Sequence, residues 1–176
     1  MQHDTASIIR VAAVIGSVRE GNYTSHAVHL VADEFATSFP AVAFDIIDPA
    51  QLQLFAPGSE QQRDAQQVRD VLNAATAVVL ATPEYHGSYS SVIKLVIENL
   101  GFPSGLSGKP VAMLGVAAGR IGAIKALEHL SSVVTHVGGH VLPGFVSVAG
   151  VQEVFDERGH AQMQGRRSGC AAWQRA

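Results

Sequence analysis

The chain has 176 residues, of which 47% are apolar and 15% charged, and its formal net charge is −3. That length suits one domain with a core of its own, and the composition excludes a disordered chain. Mild acidity without a basic block argues against nucleic acid and membrane surfaces as partners, and no apolar run is long enough to span a bilayer. The polar start Met1-Gln2-His3-Asp4 is followed by no signal-like apolar stretch, and the single cysteine, Cys170, cannot close an internal disulfide. Both point to a cytoplasmic setting.

The first element is an apolar run over 8–15 that reads as a buried parallel strand. Residues 16–25 follow as Gly-Ser-Val-Arg-Glu-Gly-Asn-Tyr-Thr-Ser, small polar groups plus one arginine. Ala27, Leu30, Val31 and Phe35 then recur at helical spacing and predict a helix over about 23–38. A helix N-terminus presents free N–H groups and the positive end of a dipole, so it attracts a phosphate. Ser17, Asn22, Thr24 and Ser25 add side-chain donors to such a cradle, Tyr23 stands among them, and Arg19 brings a fork-shaped cation.

Further strands are predicted over 42–47, 77–82, 110–116 and about 139–148, with helices over about 60–74, 91–100 and 122–137. In the third helix Ile93, Val96, Ile97 and Leu100 make one apolar face, while Val92 and Leu95 lie off it. Alternation with a period of roughly 30 residues predicts βαβ units in a doubly wound sheet, with a ligand at the carboxyl ends of the strands. Residues 1–155 read as the domain. Residues 156–176 show no apolar stripe and are interrupted by Gly159, Gly165 and Gly169. An atypical tail is expected there in place of a fifth covering helix, poorly ordered or loosely docked, with Trp173 as its one anchor.

Two more strand ends carry unusual loops. The second loop is Thr82-Pro83-Glu84-Tyr85-His86-Gly87-Ser88-Tyr89. Pro83 stiffens the exit from the strand, Gly87 allows close backbone approach, and Tyr85, His86 and Tyr89 offer flat surfaces with polar edges. The third is Gly115-Val116-Ala117-Ala118-Gly119-Arg120-Ile121-Gly122, nearly free of side-chain bulk. Taken singly, each loop also reads as an ordinary βα turn. Their joint occurrence at three strand ends suits a phosphorylated planar cofactor.

Other signatures are missing. Asn22-Tyr23 stands where a nucleotide-hydrolysing P-loop needs Lys-Ser/Thr. No G-x-G-x-x-G follows the first strand, and no G-x-S-x-G elbow occurs. Gly16 and Thr82 occupy positions where a phosphorylatable receiver domain needs acids. His26, His29, His129, His136 and His140 show no metal-ligand order and read as surface or satisfied core residues, so no metal site is expected.

These residues together resemble the NADPH-dependent FMN reductases of flavodoxin-like fold, over about residues 10–155. The family's first loop, G-S-x-R-x-x-S-x-[NT], is matched by Gly16, Ser17, Arg19 and Thr24, with Asn22 in place of the serine. Its second, P-E-Y-x-x-S followed by an apolar residue and Lys, is matched by Pro83, Glu84, Tyr85, His86, Gly87 and Ser88, then Ile93-Lys94. The third loop, with Ala118, Gly119 and Arg120, matches the one bordering the far side of the ring. The resemblance implies a three-layer flavodoxin-like α/β domain with a five-stranded parallel sheet of order 2-1-3-4-5. It implies FMN and NADPH as cofactors, the phosphate on residues 17–25 and the ring against residues 83–88 and 118–120.

It also implies a homodimer or homotetramer. Ser88-Tyr89-Ser90-Ser91 departs from the Ser-apolar-Pro-Gly of many tight binders. A tyrosine there resembles reductases that supply reduced flavin to a flavin-dependent monooxygenase. The acceptor implied is free flavin, a quinone, an azo dye or a metal oxyanion. Hydride transfer to flavin needs no side-chain acid, base or nucleophile, so no catalytic residue is expected. Two rival readings remain: a non-enzymatic electron carrier of flavodoxin type, for which −3 is a mild charge, and a cofactor-free interaction domain on the same fold.

Overall fold

The alternation becomes a three-layer sandwich because each central strand has apolar residues on both of its faces. The computed structural model describes residues 9–54, 63–156 and 158–162. In chain order the elements are β1 (Arg10–Ile15), α1 (Tyr23–Ser38), β2 (Ala43–Ile47), a 3₁₀ turn (Pro49–Gln51), α2 (Arg63–Ala74) and β3 (Ala77–Tyr85). They continue with β4 (Ser88–Tyr89), α3 (Ser91–Glu98), β5 (Pro110–Val116), α4 (Ile124–His136), β6 (His140–Val141), β7 (Val146–Val148) and α5 (Val151–Val154).

The sheet runs β2-β1-β3-β5-β6, with β7 also paired to β5 and β4 to β3. Every pairing is parallel except β3 with β4. The predicted last strand is thus cut in two. From Val141 to Val146 the edge advances five residues, while β5 advances three from Val111 to Leu114. Pro143 has no N–H for the ladder and Gly144 sits at φ +85°, so the chain bulges there and rejoins. With the short hairpin strand β4 set aside and β6 and β7 counted as one interrupted strand, the order is the 2-1-3-4-5 implied by the resemblance.

Two apolar layers flank the sheet. On one face Val68 and Leu72 of α2, Val96 and Ile97 of α3, and Leu127 and Leu130 of α4 pack on Val14, Leu80 and Met113. On the other, Ala27 and Val28 of α1 and Val151 and Phe155 pack on Val11, Ala13, Ile15 and Ala81. The alternation of strand side chains between faces feeds both layers. Each fully buried Leu or Val contributes about 1.5–3 kcal/mol.

Several expectations are adjusted. Val28 is buried on α1, whereas Leu30, placed on the apolar stripe by its spacing, is 40% exposed. Strand β3 runs on through Pro83, Glu84 and Tyr85, which the sequence places in a loop. A short covering helix does follow the last strand, but it has four residues. Beyond it the chain returns: the Gln162 N–H donates to the Val154 carbonyl at 2.7 Å, and Phe155 bridges Ala161. Ile8, residues 60–62 of the predicted second helix, and the tail from 163 with Cys170 and Trp173 lie outside the described residues. Among the described residues no helix is long and apolar enough to cross a membrane.

Candidate functional site

Adjacent parallel strands β1, β3 and β5 end on the same edge of the sheet, so the three loops converge there. The first leaves β1 at Gly16, whose N–H donates to the Ala81 carbonyl at 2.7 Å. A Cβ at Gly16 would stand 2.4 Å from that oxygen, so only glycine lets the loop hug β3. Ser17 is buried, and the Arg19 N–H approaches its hydroxyl at 3.4 Å. Asn22 is the N-cap of α1: its Oδ1 accepts the Ser25 N–H at 2.8 Å and its Nδ2 donates to the Arg19 carbonyl at 2.7 Å. The residue replacing the family's serine therefore shapes the loop from within.

What the loop leaves open can take an anion. The N–H groups of Val18, Tyr23 and Thr24 donate to no acceptor among the described residues, and the exposed Arg19 guanidinium has no partner among them. Free N–H groups at a helix N-terminus beside an unpaired cation attract phosphate. Thr24 is buried beneath this turn and Ser25 half-buried beside it. The Tyr23 ring turns to the α5 side, stacking on Phe155 at 6.2 Å and meeting His26 edge-on at 6.0 Å. Tyr23 thus offers its backbone N–H to the cradle while its ring packs on another element.

The second loop is a tight hairpin. Glu84 pairs with Tyr89 and Tyr85 with Ser88 across a two-residue turn, His86-Gly87. Both turn residues have positive φ, +50° and +77°, the pattern of a type I′ turn, where glycine is favoured and histidine tolerated. Pro83 is buried, while Tyr85 and His86 are exposed at the tip. Ser88 Oγ lies 3.0 Å from His129 Nδ1, and Glu84 Oε2 accepts the Ala126 N–H at 3.2 Å. Tyr89, last in β4, is half-buried against the core of its own chain.

Two residues outside the expected set fix the hairpin to the cradle. Ser90 caps α3, accepting the Ile93 N–H at 3.1 Å, and donates to the Gly16 carbonyl at 2.5 Å. Thr82 Oγ1 accepts the Ser90 N–H at 3.0 Å and donates to the Pro83 carbonyl at 2.9 Å. The signal was present at Ser90, a serine immediately before an apolar helical run. No sequence rule gives the reach of its hydroxyl across the chain to Gly16.

The third loop crosses from β5 to α4. Gly115 and Gly122 are tight: a Cβ would meet Ala123 Cβ at 2.6 Å in the first case and Ser147 Oγ at 2.3 Å in the second. Ala118, Gly119 and Arg120 are exposed, their N–H groups donate to no acceptor among the described residues, and Arg120 has no charged partner among them. The Gly119 carbonyl accepts the N–H of Gly150, and that of Ala117 the N–H of Val151, so the start of α5 braces this rim. Ile121 beside it is 81% exposed. The edge thus offers an anion cradle at β1, a hairpin wall at β3 and a bare backbone rim at β5.

A parallel sheet in this order between two helical layers, with three loops gathered at one edge, is a flavodoxin-like α/β fold. The family model for NADPH-dependent FMN reductases matches residues 9–153, and the chain belongs to that family. It is an oxidoreductase whose cofactor is FMN and whose hydride donor is NADPH. An NAD(P)H-dependent FMN reductase of Pseudomonas aeruginosa is 32% identical over 163 residues, spanning 86% of this chain and 83% of that protein. An NADPH azoreductase of a Bacillus species is 30% identical over 154 residues, with the same coverage of 86% and 83%. In fold, the chain is similar to FerB, a flavoenzyme NAD(P)H:acceptor oxidoreductase of Paracoccus denitrificans, at a TM-score of 0.72 and 23% identity, over 89% of this chain and 88% of that one.

Proposed function

We propose that the chain holds FMN with its phosphate on residues 17–25 and its ring between the Pro83–Ser88 hairpin and the Ala118–Arg120 rim, and that electrons pass from NADPH to a small planar acceptor. The observation that carries this is the cradle: a glycine that admits no Cβ, and N–H groups and a guanidinium without partners among the described residues. The residues present fit the cofactor. A bound flavin supplies hydride acceptance from the nicotinamide and electron delivery to the acceptor.

The protein's part is binding and orientation. Ser17, Asn22, Thr24 and Ser25 set the loop, Arg19 neutralises the phosphate, and Tyr23 contributes its N–H. Pro83 and Glu84 support the wall while Tyr85, His86, Gly87 and Ser88 form it. Ala118, Gly119 and Arg120 offer N–H groups and a cation to the polar edges of ring and nicotinamide dinucleotide. The relatives' names, an FMN reductase and an azoreductase, support free flavin or an azo compound as acceptor. The test is NADPH oxidation by the pure protein with FMN and each acceptor in turn. Turnover only with metal oxyanions would reject the planar class.

The finer parts of the reading concern assembly and setting. Val92 and Leu95 lie half-buried on the outer face of α3, lining with Ser91, Lys94 and Glu98 a mostly apolar depression of about 350 Å³. This supports a homodimer or homotetramer through α3. Release of reduced flavin to a flavin-dependent monooxygenase, in a cytoplasmic setting, extends the same reading. Extensive gel filtration tests the supply role: stoichiometric FMN retained on the protein would rule it out.

A further inference from the structure

Glu84 stands in the stretch that forms the ring wall, yet its carboxylate is directed elsewhere. Its Oε2 accepts the N–H of Ala126, the third residue of α4. That N–H is one of the first-turn donors with no partner inside a helix. The capping position of α4 is Ala123, which has no side-chain cap to offer. A carboxylate reaching in from β3 supplies what alanine cannot, and its charge suits the positive end of the helix dipole. The N–H of Ala123 itself is taken by Ser147 Oγ at 2.8 Å, so two donors at the start of α4 are met by residues distant in sequence.

The consequence is geometric. Successive residues of a strand point to opposite faces, so fixing Glu84 on α4 fixes where Tyr85 and the His86-Gly87 turn stand. The first turn of α4 in turn continues from the bare rim that forms the facing wall. A second tie runs parallel to the first, from Ser88 Oγ to His129 Nδ1 at 3.0 Å. We propose that Glu84 is a positioning residue that joins the two walls of the flavin-ring site by capping α4, with His129 as the second tie, and that it does not contact the flavin. This rests on the reading that the ring lies between hairpin and rim.

The test compares Glu84→Ala, Glu84→Gln and His129→Ala. Amide hydrogen exchange on the apoprotein should show Ala126 and the hairpin exchanging about ten- to a hundredfold faster in Glu84→Ala, the scale of one lost hydrogen bond to a charged group. Glu84→Gln keeps an accepting oxygen and should retain most of the protection. His129→Ala, on an exposed stretch of α4, should loosen Gly87 and Ser88 while leaving Ala126 protected. FMN and riboflavin should both bind about five- to tenfold more weakly to Glu84→Ala, by the same factor, because the ring and not the phosphate is affected. In Glu84→Gln both affinities and the absorption band of bound flavin should stay near wild type.

Wild-type protection at Ala126 in Glu84→Ala would overturn the proposal. So would a Gln variant as defective as the Ala variant, or one whose bound flavin changes its spectrum, which would mean direct contact. If Glu84→Ala does not fold, the Gln variant and His129→Ala carry the same decision. Failure of the wild-type protein to bind either flavin would overturn the ring-site reading instead, while the exchange data would still decide the cap.

Discussion

At Gly16 a single hydrogen atom separates a working cradle from a collision. An added Cβ would meet backbone at Ala81, which cannot turn aside as a flexible side chain would. Gly16→Ala should therefore lose roughly 1–3 kcal/mol of stability, read by urea unfolding of the apoprotein, and should lose FMN binding with it. Arg19 is exposed and unpaired among the described residues, so its removal leaves the fold intact. Arg19→Ala should weaken FMN by about 1.5–3 kcal/mol, the range for a hydrogen bond to a charged group, with riboflavin unaffected. An equal loss for both flavins in a titration would place the phosphate elsewhere.

Residue identities in the three loops were legible because glycine, asparagine and arginine each do something no other side chain does. Residue directions were not. Glu84 and Tyr85 are neighbours in a motif, but strand geometry sends them opposite ways, and the motif does not reveal that β3 extends through both. Tyr23 is similar: adjacent to the cradle in sequence, its ring packs on Phe155, more than a hundred positions away. The tie from Thr82 through Ser90 to the Gly16 carbonyl went unread because it joins separate elements.

Among the elements, the starts of α1 and α3 fall where the sequence predicts them. Asn22 and Ser90 mark the starts of α1 and α3, with the apolar period following at once. The four-residue α5 is shorter than one apolar period and leaves no such trace. What holds the chain beyond it is the Asp156 turn, where Oδ1 accepts the N–H groups of His160 at 2.8 Å and Arg158 at 2.9 Å. Those N–H donors, His160 first, hold the Asp156 carboxyl below its usual range. A lowered folded pKa means the turn is favoured while the carboxylate is ionised and loses that support as pH falls below about 3.9 toward the folded value. The amide signals of Arg158 and His160 should move together through that acid window. Signals of both that stay fixed through that window would contradict the assignment.

On the scale of the whole molecule, the strand–helix alternation predicts a doubly wound sheet, and its strand order came with the family resemblance. The rule that ligands gather where parallel strands end is what placed the expected site at this edge. The assembly does not follow from either. Val92 and Leu95 on α3, and Phe102, 100% exposed just beyond it, are apolar surface that a second copy would cover. Light scattering at micromolar concentration should give a mass of at least twice 18.5 kDa. A stable monomer would refute the oligomer, and Leu95→Glu should dissociate it if α3 is the contact.

The central claim is that this edge of the sheet binds FMN through its phosphate and uses it to oxidise NADPH. The most direct measurement is steady-state NADPH oxidation by the purified protein, followed at the nicotinamide absorbance, with FMN or riboflavin added at equal concentration. The account expects turnover that saturates with FMN at far lower concentration than with riboflavin, and an Arg19→Ala variant that erases the difference. Equal response to the two flavins would contradict the cradle, and no NADPH oxidation with FMN would contradict the account as a whole.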